Sequence, residues 1–209
     1  AEWAFEPTGA RHAAMIDDQN AVAEEFDIAV VGGGLVGLVL VRLLSELLTN
    51  AGSSRRIVLL ESNPPAKERS ETDELRVSAI SPAVHTILQN LGIWKQVKST
   101  DRCAYTRMHV WQSAGAPTAA RGLTFNAAEL GRTELGYIVS NFAMRSIAWE
   151  GLQTLANVRA LTKTKLAELT ATEAGWMLTL DNGSKISARL LVAADGVNSW
   201  TRSSLGVEV

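Results

Sequence analysis

The chain has 209 residues, 46% of them apolar and 20% charged, with a formal net charge of −2. That is enough for one sizeable core or two small ones, and without a dense run of Lys or Arg it excludes nucleic acid as the main partner, because neutralising phosphates needs a concentrated basic face. The single cysteine, Cys103, excludes an intramolecular disulfide and a Cys-x-x-Cys redox pair, so a reducing compartment is the simpler reading.

Residues 1–25 are rich in Ala, Glu and Asp and carry no basic-then-apolar signal pattern. They read as an N-terminal extension, either non-native or native with Met15 as a candidate start, and are expected to be poorly ordered. Residues 26–31, Phe-Asp-Ile-Ala-Val-Val, form a nearly continuous β-branched run ended by glycine, the pattern of a strand buried on both faces. From Leu35 to about Asn50 the period is helical, with Leu and Val on a broad stripe and Arg42, Ser45 and Glu46 outside it. Gly52 and its flanking serines end that helix, and "IVLLE" (57–61) is a second strand, which completes a βαβ unit with parallel strands. The apolar run stops at Arg42 and contains three glycines, well short of the ~20 residues that span a bilayer.

A polar, proline-bearing loop follows Glu61, then a short strand "RVSAI" (76–80) and a helix from "SPAVHTILQNLGIW", with Ser81 as N-cap, Pro82 at its first position and an end near Gly92. "AYTRMHVWQ" (104–112) alternates as one strand and "GYIVS" (136–140) as another. Residues 141–157 read as one amphipathic helix with Ile147, Leu152 and Leu155 inward. Two strands come next, then a type I′-like "DNG" hairpin turn and a third strand that ends in Ala194 and Asp195. Strands alternating with helices predict the α/β class, with an antiparallel ribbon inserted late. Cys103 reads as a small packing residue. His12, His85 and His109 are too scattered to suggest a zinc or iron site, so no metal is expected.

Gly32-Gly33-Gly34-Leu35-Val36-Gly37 satisfies G-x-G-x-x-G between a strand and a helix. Gly32 permits the tight turn, Gly34 lets a pyrophosphate approach the backbone, and Gly37 lets helix and strand pack closely. The helix start offers unpaired N–H groups to phosphate. Glu61, at the end of the next strand, is placed either to accept hydrogen bonds from a ribose or to sit as a solvated carboxylate. Asp195-Gly196 ends a late strand, where open α/β sheets bind ligands, although Asp-Gly is also common in plain strand-to-helix turns.

Together "VVGGGLVG", "LLE", "RVSAISP" and "LLVAADGVNSWTR" resemble the flavoprotein aromatic hydroxylases. "LRVSAISPAVHTILQNLGIW", "HVWQ" and "ELGYIVSN" resemble their ubiquinone-biosynthesis branch. The resemblance covers residues 26–207. It implies a Rossmann-like FAD-binding domain of the p-hydroxybenzoate hydroxylase type over 26–209, with 104–140 contributing to an incomplete antiparallel substrate-domain portion. Gly32, Gly34 and Gly37 would face the FAD pyrophosphate and Glu61 the adenosine ribose. Arg76 would lie on the flavin side, and Asp195 and Gly196 would serve FAD and NAD(P)H binding. Arg202 would anchor the Asp-Gly turn. Many relatives carry arginine where this chain has Asn141, which is kept as a cofactor contact, while Arg145, one turn later, is either a contact or a solvated helix residue.

The implied activity is a monooxygenase reaction. NAD(P)H supplies electrons, FAD activates molecular oxygen, and a hydroxyl group passes to a hydrophobic prenylated phenol; no residue stands out as its acid or base. The family's downstream Gly-Asp motif does not occur in the 209 residues. The chain is therefore read as an N-terminal fragment, expected to bind FAD weakly or not at all, to lack turnover, and to expose apolar surface that favours homo-oligomers. A cytoplasmic setting with peripheral attachment at the inner membrane, and a complex with other biosynthetic enzymes, are expected for the parent protein. Two other functions fit parts of the pattern. An NAD-linked Rossmann dehydrogenase explains Gly32 to Glu61 but not Asp195-Gly196, and a non-catalytic scaffold module explains the missing motif.

Overall fold

The structure is a computed structural model that describes residues 23–111 and 122–208, with every side chain in those ranges except that of Glu74. The expectations for His12, Met15 and Gln112 fall outside the described residues. In chain order the strands are β1 (Glu24–Val31), β2 (Ile57–Glu61), β3 (Val77–Ile80), β4 (Arg102–Tyr105), β5 (Arg107–Trp111), β6 (Gly122–Asn126), β7 (Gly136–Ser140), β8 (Val158–Thr162), β9 (Leu166–Thr172), β10 (Gly175–Leu180) and β11 (Lys185–Ala193). The α-helices are α1 (Leu35–Asn50), α2 (Glu71–Glu74), α3 (Pro82–Asn90), α4 (Asn141–Glu150) and α5 (Trp200–Ser204).

Six strands form one sheet in the order β8-β2-β1-β11-β10-β9. β8, β2, β1 and β11 run parallel, and β10 and β9 continue the sheet antiparallel. All five residues of β2 are buried, and they divide by the period of two. Ile57 and Leu59 join the core under α1, α3 and α4, whereas Val58 and Leu60 join a second core with Leu178, Leu180 and Ile186. A strand covered on both faces has no polar side to show, which is why "IVLLE" reads as a continuous run. β3-β7-β4 and β5-β6 form two further antiparallel sheets, so the described strands of the segment 104–140 stand outside the six-stranded sheet.

The α/β class and the βαβ unit stand as expected, with β1 and β2 parallel and α1 covering Leu35–Asn50. Several details differ. β1 begins at Glu24, two residues inside the expected extension, because Glu24 is held by ion pairs to Arg56 and Arg159. Ser45 lies within the packed stripe of α1, donating to Asn157 Oδ1 at 2.6 Å, and half-buried Arg42 donates to Leu91 O at 2.7 Å. The single strand expected over 104–112 is two, broken at Thr106, where the chain leaves β7 to pair with β6. The helix expected to run through 157 ends at Glu150; a 3₁₀ turn and β8, which had no expected counterpart, follow. Its buried residues are Met144 and Ala148, with Leu152 buried in the 3₁₀ turn. In the "DNG" turn only Gly183 takes a positive φ, of 84°. With Gly183 N donating to Leu180 O, this is a type I turn closed by a left-handed glycine and not type I′. Cys103 is exposed on β4 and is not a packing residue.

Candidate functional site

Strand register assembles the site. Val31 pairs with Leu60 on one side and Ala193 on the other, and Glu61 pairs with Thr162. Four chain segments therefore leave the sheet at one edge: the glycine turn after β1, Glu61–Asn63 after β2, residues 163–165 after β8, and Ala194–Gly196 after β11. The ladder continues into the turns, with Gly32 N donating to Leu60 O at 2.8 Å and Ala194 N to Val31 O at 2.7 Å. This is the carboxyl edge at which open parallel sheets bind ligands.

The three motif glycines do three different things. Gly32 has φ +105°, and a Cβ there would lie 2.3 Å from Ala194 O and 2.8 Å from the Asp195 Cα. The glycine turn and the Asp-Gly turn thus touch through their backbones. A Cβ on Gly37 would lie 2.0 Å from Gly32 O, so α1 can press onto the turn only without one. Gly37 is buried and lines neither crevice described below. Gly34 is the N-cap of α1 and has no atom within 4 Å of where a Cβ would be. No side chain caps α1, and its first backbone bond to the N-cap comes from Leu38 N. Its first-turn amides and the positive end of its dipole are left to a ligand.

Glu61 is nearly buried and already engaged. Oε2 accepts from Gly33 N at 2.5 Å and Oε1 from Asn63 N at 2.6 Å. Arg145 on α4 completes the arrangement: Nε donates to Gly33 O at 2.9 Å and Nη2 to Asn63 O at 2.6 Å, with Nη2 3.4 Å from Glu61 Oε2. One guanidinium therefore ties the glycine turn to the end of β2. Arg145 is not a solvated helix residue.

Asp195 shapes its own corner. Oδ1 accepts from Ser199 Oγ at 2.5 Å and Oδ2 from Thr201 N at 3.0 Å, at the start of α5. Burial pushes the Asp195 carboxyl up, but these hydrogen bonds outweigh burial and hold it below the usual carboxylate range. Arg202 Nη2 donates to Val197 O at 2.9 Å and so anchors the turn.

Two crevices result. The first, of about 510 Å³, is lined by Gly32, Gly34, Glu61, Arg145, Asp195 and Gly196, with Thr164 and Lys165 on its far wall. The second, of about 490 Å³, brings Arg76 and Asn141 together with Phe142, Arg145 and Ser146. Gly34 and Arg145 belong to both, so the two form a continuous track. Asn141 N donates to Arg76 O at 3.0 Å, which couples those two residues. In the second crevice Asn141 Oδ1 and Ser146 Oγ are buried without a hydrogen-bond partner among the described residues. An unpaired buried polar atom costs about 1–3 kcal/mol, so this wall is suited to a hydrogen-bonding ligand. Open space at Gly34, the free helix start and these two atoms fit an elongated dinucleotide such as FAD.

All eight residues predicted for cofactor binding thus gather at one edge of the sheet, seven of them lining the track and Gly37 beneath it. The sequence reading missed Ser146 and the Thr164–Lys165 wall and left Arg145 undecided. For Arg145 a signal existed, because residues 141 and 145 lie one turn apart on the same helix face. Nothing comparable marks Thr164 and Lys165, whose position follows from β8. Among the described residues no group of three or more His, Cys, Asp or Glu could hold a metal, and no helix is long and apolar enough to cross a membrane.

Comparison with known proteins agrees with this geometry. The model of the FAD binding domain family matches residues 25–209. The 3-demethoxyubiquinol 3-hydroxylase of Escherichia coli is 31% identical over 184 residues, covering 88% of this chain and 44% of that protein. The mitochondrial ubiquinone biosynthesis monooxygenase COQ6 of Danio rerio is 31% identical, over 91% of this chain and 40% of its own length. The ubiquinone hydroxylase UbiM of Neisseria meningitidis is 32% identical, over 87% and 38%. The chain thus spans less than half the length of these relatives. Among solved structures, the probable FAD-dependent monooxygenase pqsL of Pseudomonas aeruginosa superposes with a TM-score of 0.66 at 19% identity, over 89% of this chain and 47% of that one. The p-nitrophenol 4-monooxygenase PnpA of Pseudomonas putida superposes with a TM-score of 0.65 at 21% identity, over 88% and 44%. At such identities the likeness establishes the fold, that of FAD-dependent monooxygenases. On the match across residues 25–209, the chain belongs to the FAD binding domain family.

Proposed function

We propose that this chain is the cofactor-binding portion of an FAD-dependent monooxygenase that hydroxylates the aromatic ring of a prenylated phenol in ubiquinone biosynthesis. The observation that carries the reading is the meeting of the glycine turn, Glu61 and Asp195-Gly196 in one crevice that continues to Arg76 and Asn141. An NAD-linked dehydrogenase would use the glycine turn and Glu61 and leave Asp195-Gly196 and the second crevice without a purpose. The names of the relatives supply the substrate class.

When bound, FAD supplies the oxygen chemistry, with NAD(P)H as electron source. The residues of this chain hold and orient it. The α1 start and Gly34 receive the diphosphate, and Glu61 keeps lone pairs for ribose hydroxyls while its other bonds fix its rotamer. Asp195 locks the turn that closes the crevice, and Arg76, Asn141 and Ser146 line the path towards the flavin. The described strands of the segment 104–140, outside the main sheet, contribute to the substrate side. For the whole protein we propose a hydrophobic phenol as substrate, peripheral membrane contact to reach it, and association with other enzymes of the pathway.

The test uses the complete protein that carries this chain. It should purify yellow and oxidise NADPH only when a prenylated phenol is added, with a hydroxylated product by mass spectrometry. Nicotinamide reduction by a hydroxy acid without any flavin would sink the proposal.

A further inference from the structure

The two crevices share only two residues, Gly34 and Arg145. A ligand long enough to occupy both must pass between them. Gly34 contributes open space and the start of α1, and Arg145 contributes the charge. Among the described residues Arg145 is also the only charged one that lines both crevices. The first otherwise holds Glu61, Asp195 and Lys165, and the second Asp73 and Arg76. Two carboxylates against one lysine make the first crevice a poor place for a dianion unless Arg145 takes part.

The geometry of its guanidinium allows this. Nε and Nη2 are committed to Gly33 O and Asn63 O, while Nη1 donates to no described residue. The side chain keeps 31% of its exposure. A guanidinium fixed by two backbone carbonyls has already lost its rotamer freedom, so its free edge can bind an oxyanion at little further entropic cost. Its closeness to Glu61 also offsets the carboxylate that would repel the same oxyanion.

We propose that Arg145 is the diphosphate-binding residue of this site, clamping the ligand from α4 opposite the start of α1. This rests on the dinucleotide reading above and adds to it the charged group that meets the diphosphate, at the junction of the two crevices. A residue that only braced the glycine turn would treat phosphorylated and unphosphorylated nucleosides alike. A diphosphate ligand would make it discriminate.

The experiment titrates ADP and adenosine into the unaltered chain, Arg145→Gln and Arg145→Lys by calorimetry at low and high salt, with circular dichroism melts as a check on folding. Arg145→Gln should weaken ADP about ten- to a hundredfold and flatten its salt dependence. Adenosine should change by less than about twofold on this reading, and Arg145→Lys should recover part of the loss, because a point charge lacks the guanidinium fork. Should Arg145→Gln not fold, arginine side-chain NMR of the unaltered chain decides: ADP must shift the Arg145 guanidinium signals and adenosine must not. Equal losses for both nucleosides, or no loss for either, overturn the clamp while leaving the dinucleotide site standing. No ADP binding by the unaltered chain overturns both.

Discussion

At the scale of single residues, the glycines separate folding from binding. A methyl group at Gly37 would meet Gly32 O at 2.0 Å, so Gly37→Ala must push α1 off the turn. We expect Gly37→Ala to cost at least about 2 kcal/mol in urea denaturation. Gly34→Ala has open space around it and should leave stability within about 0.5 kcal/mol, yet its methyl stands where the diphosphate passes. Its expected signature is a melt near that of the unaltered chain together with loss of ADP binding in calorimetry. The motif spacing revealed these positions in the sequence, since a strand–turn–helix has few ways to meet a pyrophosphate. What stayed hidden is that Gly32 packs on Ala194, more than a hundred and fifty residues away.

Asp195 gives a pH prediction at the same scale. Against the upward push of burial, the hydrogen bonds from Ser199 and Thr201 hold its folded pKa below the ordinary aspartate value. It therefore adds stability that is fully present above that ordinary value and is lost as pH falls through the folded pKa. Asp195→Asn keeps the shape but weakens the hydrogen bonds from Ser199 and Thr201, and should cost about 1 kcal/mol at neutral pH. The stability gap between the two proteins should close as pH falls below about 4. A gap that persists or grows in acid would show that the carboxylate charge is not what holds the turn.

At the scale of elements, the helices are tied down by polar contacts that periodicity does not report. Arg42 donates to Leu91 O, the C-cap of α3, and its buried Nη1 lies against Gly151, the C-cap of α4. One cation thus faces two helix carboxyl ends, where positive charge is favourable. Arg42→Met should cost about 1–2 kcal/mol, measured as a shift of the urea midpoint. In the sequence Arg42 and Ser45 read as lying outside the α1 stripe because they are polar, whereas their partners, Leu91 and Asn157, are distant in sequence. β8 escaped notice for a related reason. "VRALT" is short and alternating, and it sits as an edge strand beside β2, directly after a helix pattern that Gly151 interrupts. Losing β8 also loses the Thr164–Lys165 wall. The period of α1 and the apolar runs of β1, β2 and β11 were legible because burial on one or both faces leaves a full pattern.

At the scale of the whole molecule, sheet register turns four separate turns into one track, and no single motif encodes that. The same view exposes a weak side. On the β5–β6 ribbon, Met108 pairs with Phe125 and Val110 with Leu123, and all four side chains are exposed. An uncovered apolar ribbon with free edges favours association. Leu123→Lys should reduce concentration-dependent light scattering without changing the melting temperature; an unchanged scattering profile would place the sticky surface elsewhere.

The central claim is that the glycine turn and the Asp-Gly turn hold one extended flavin dinucleotide. Amide hydrogen exchange with and without saturating FAD tests it most directly. Protection should rise together at residues 32–37, 61–63 and 194–201, and extend to 76–78 and 141–146. Protection confined to the glycine turn and Glu61, with 194–201 and 141–146 unchanged, would contradict it.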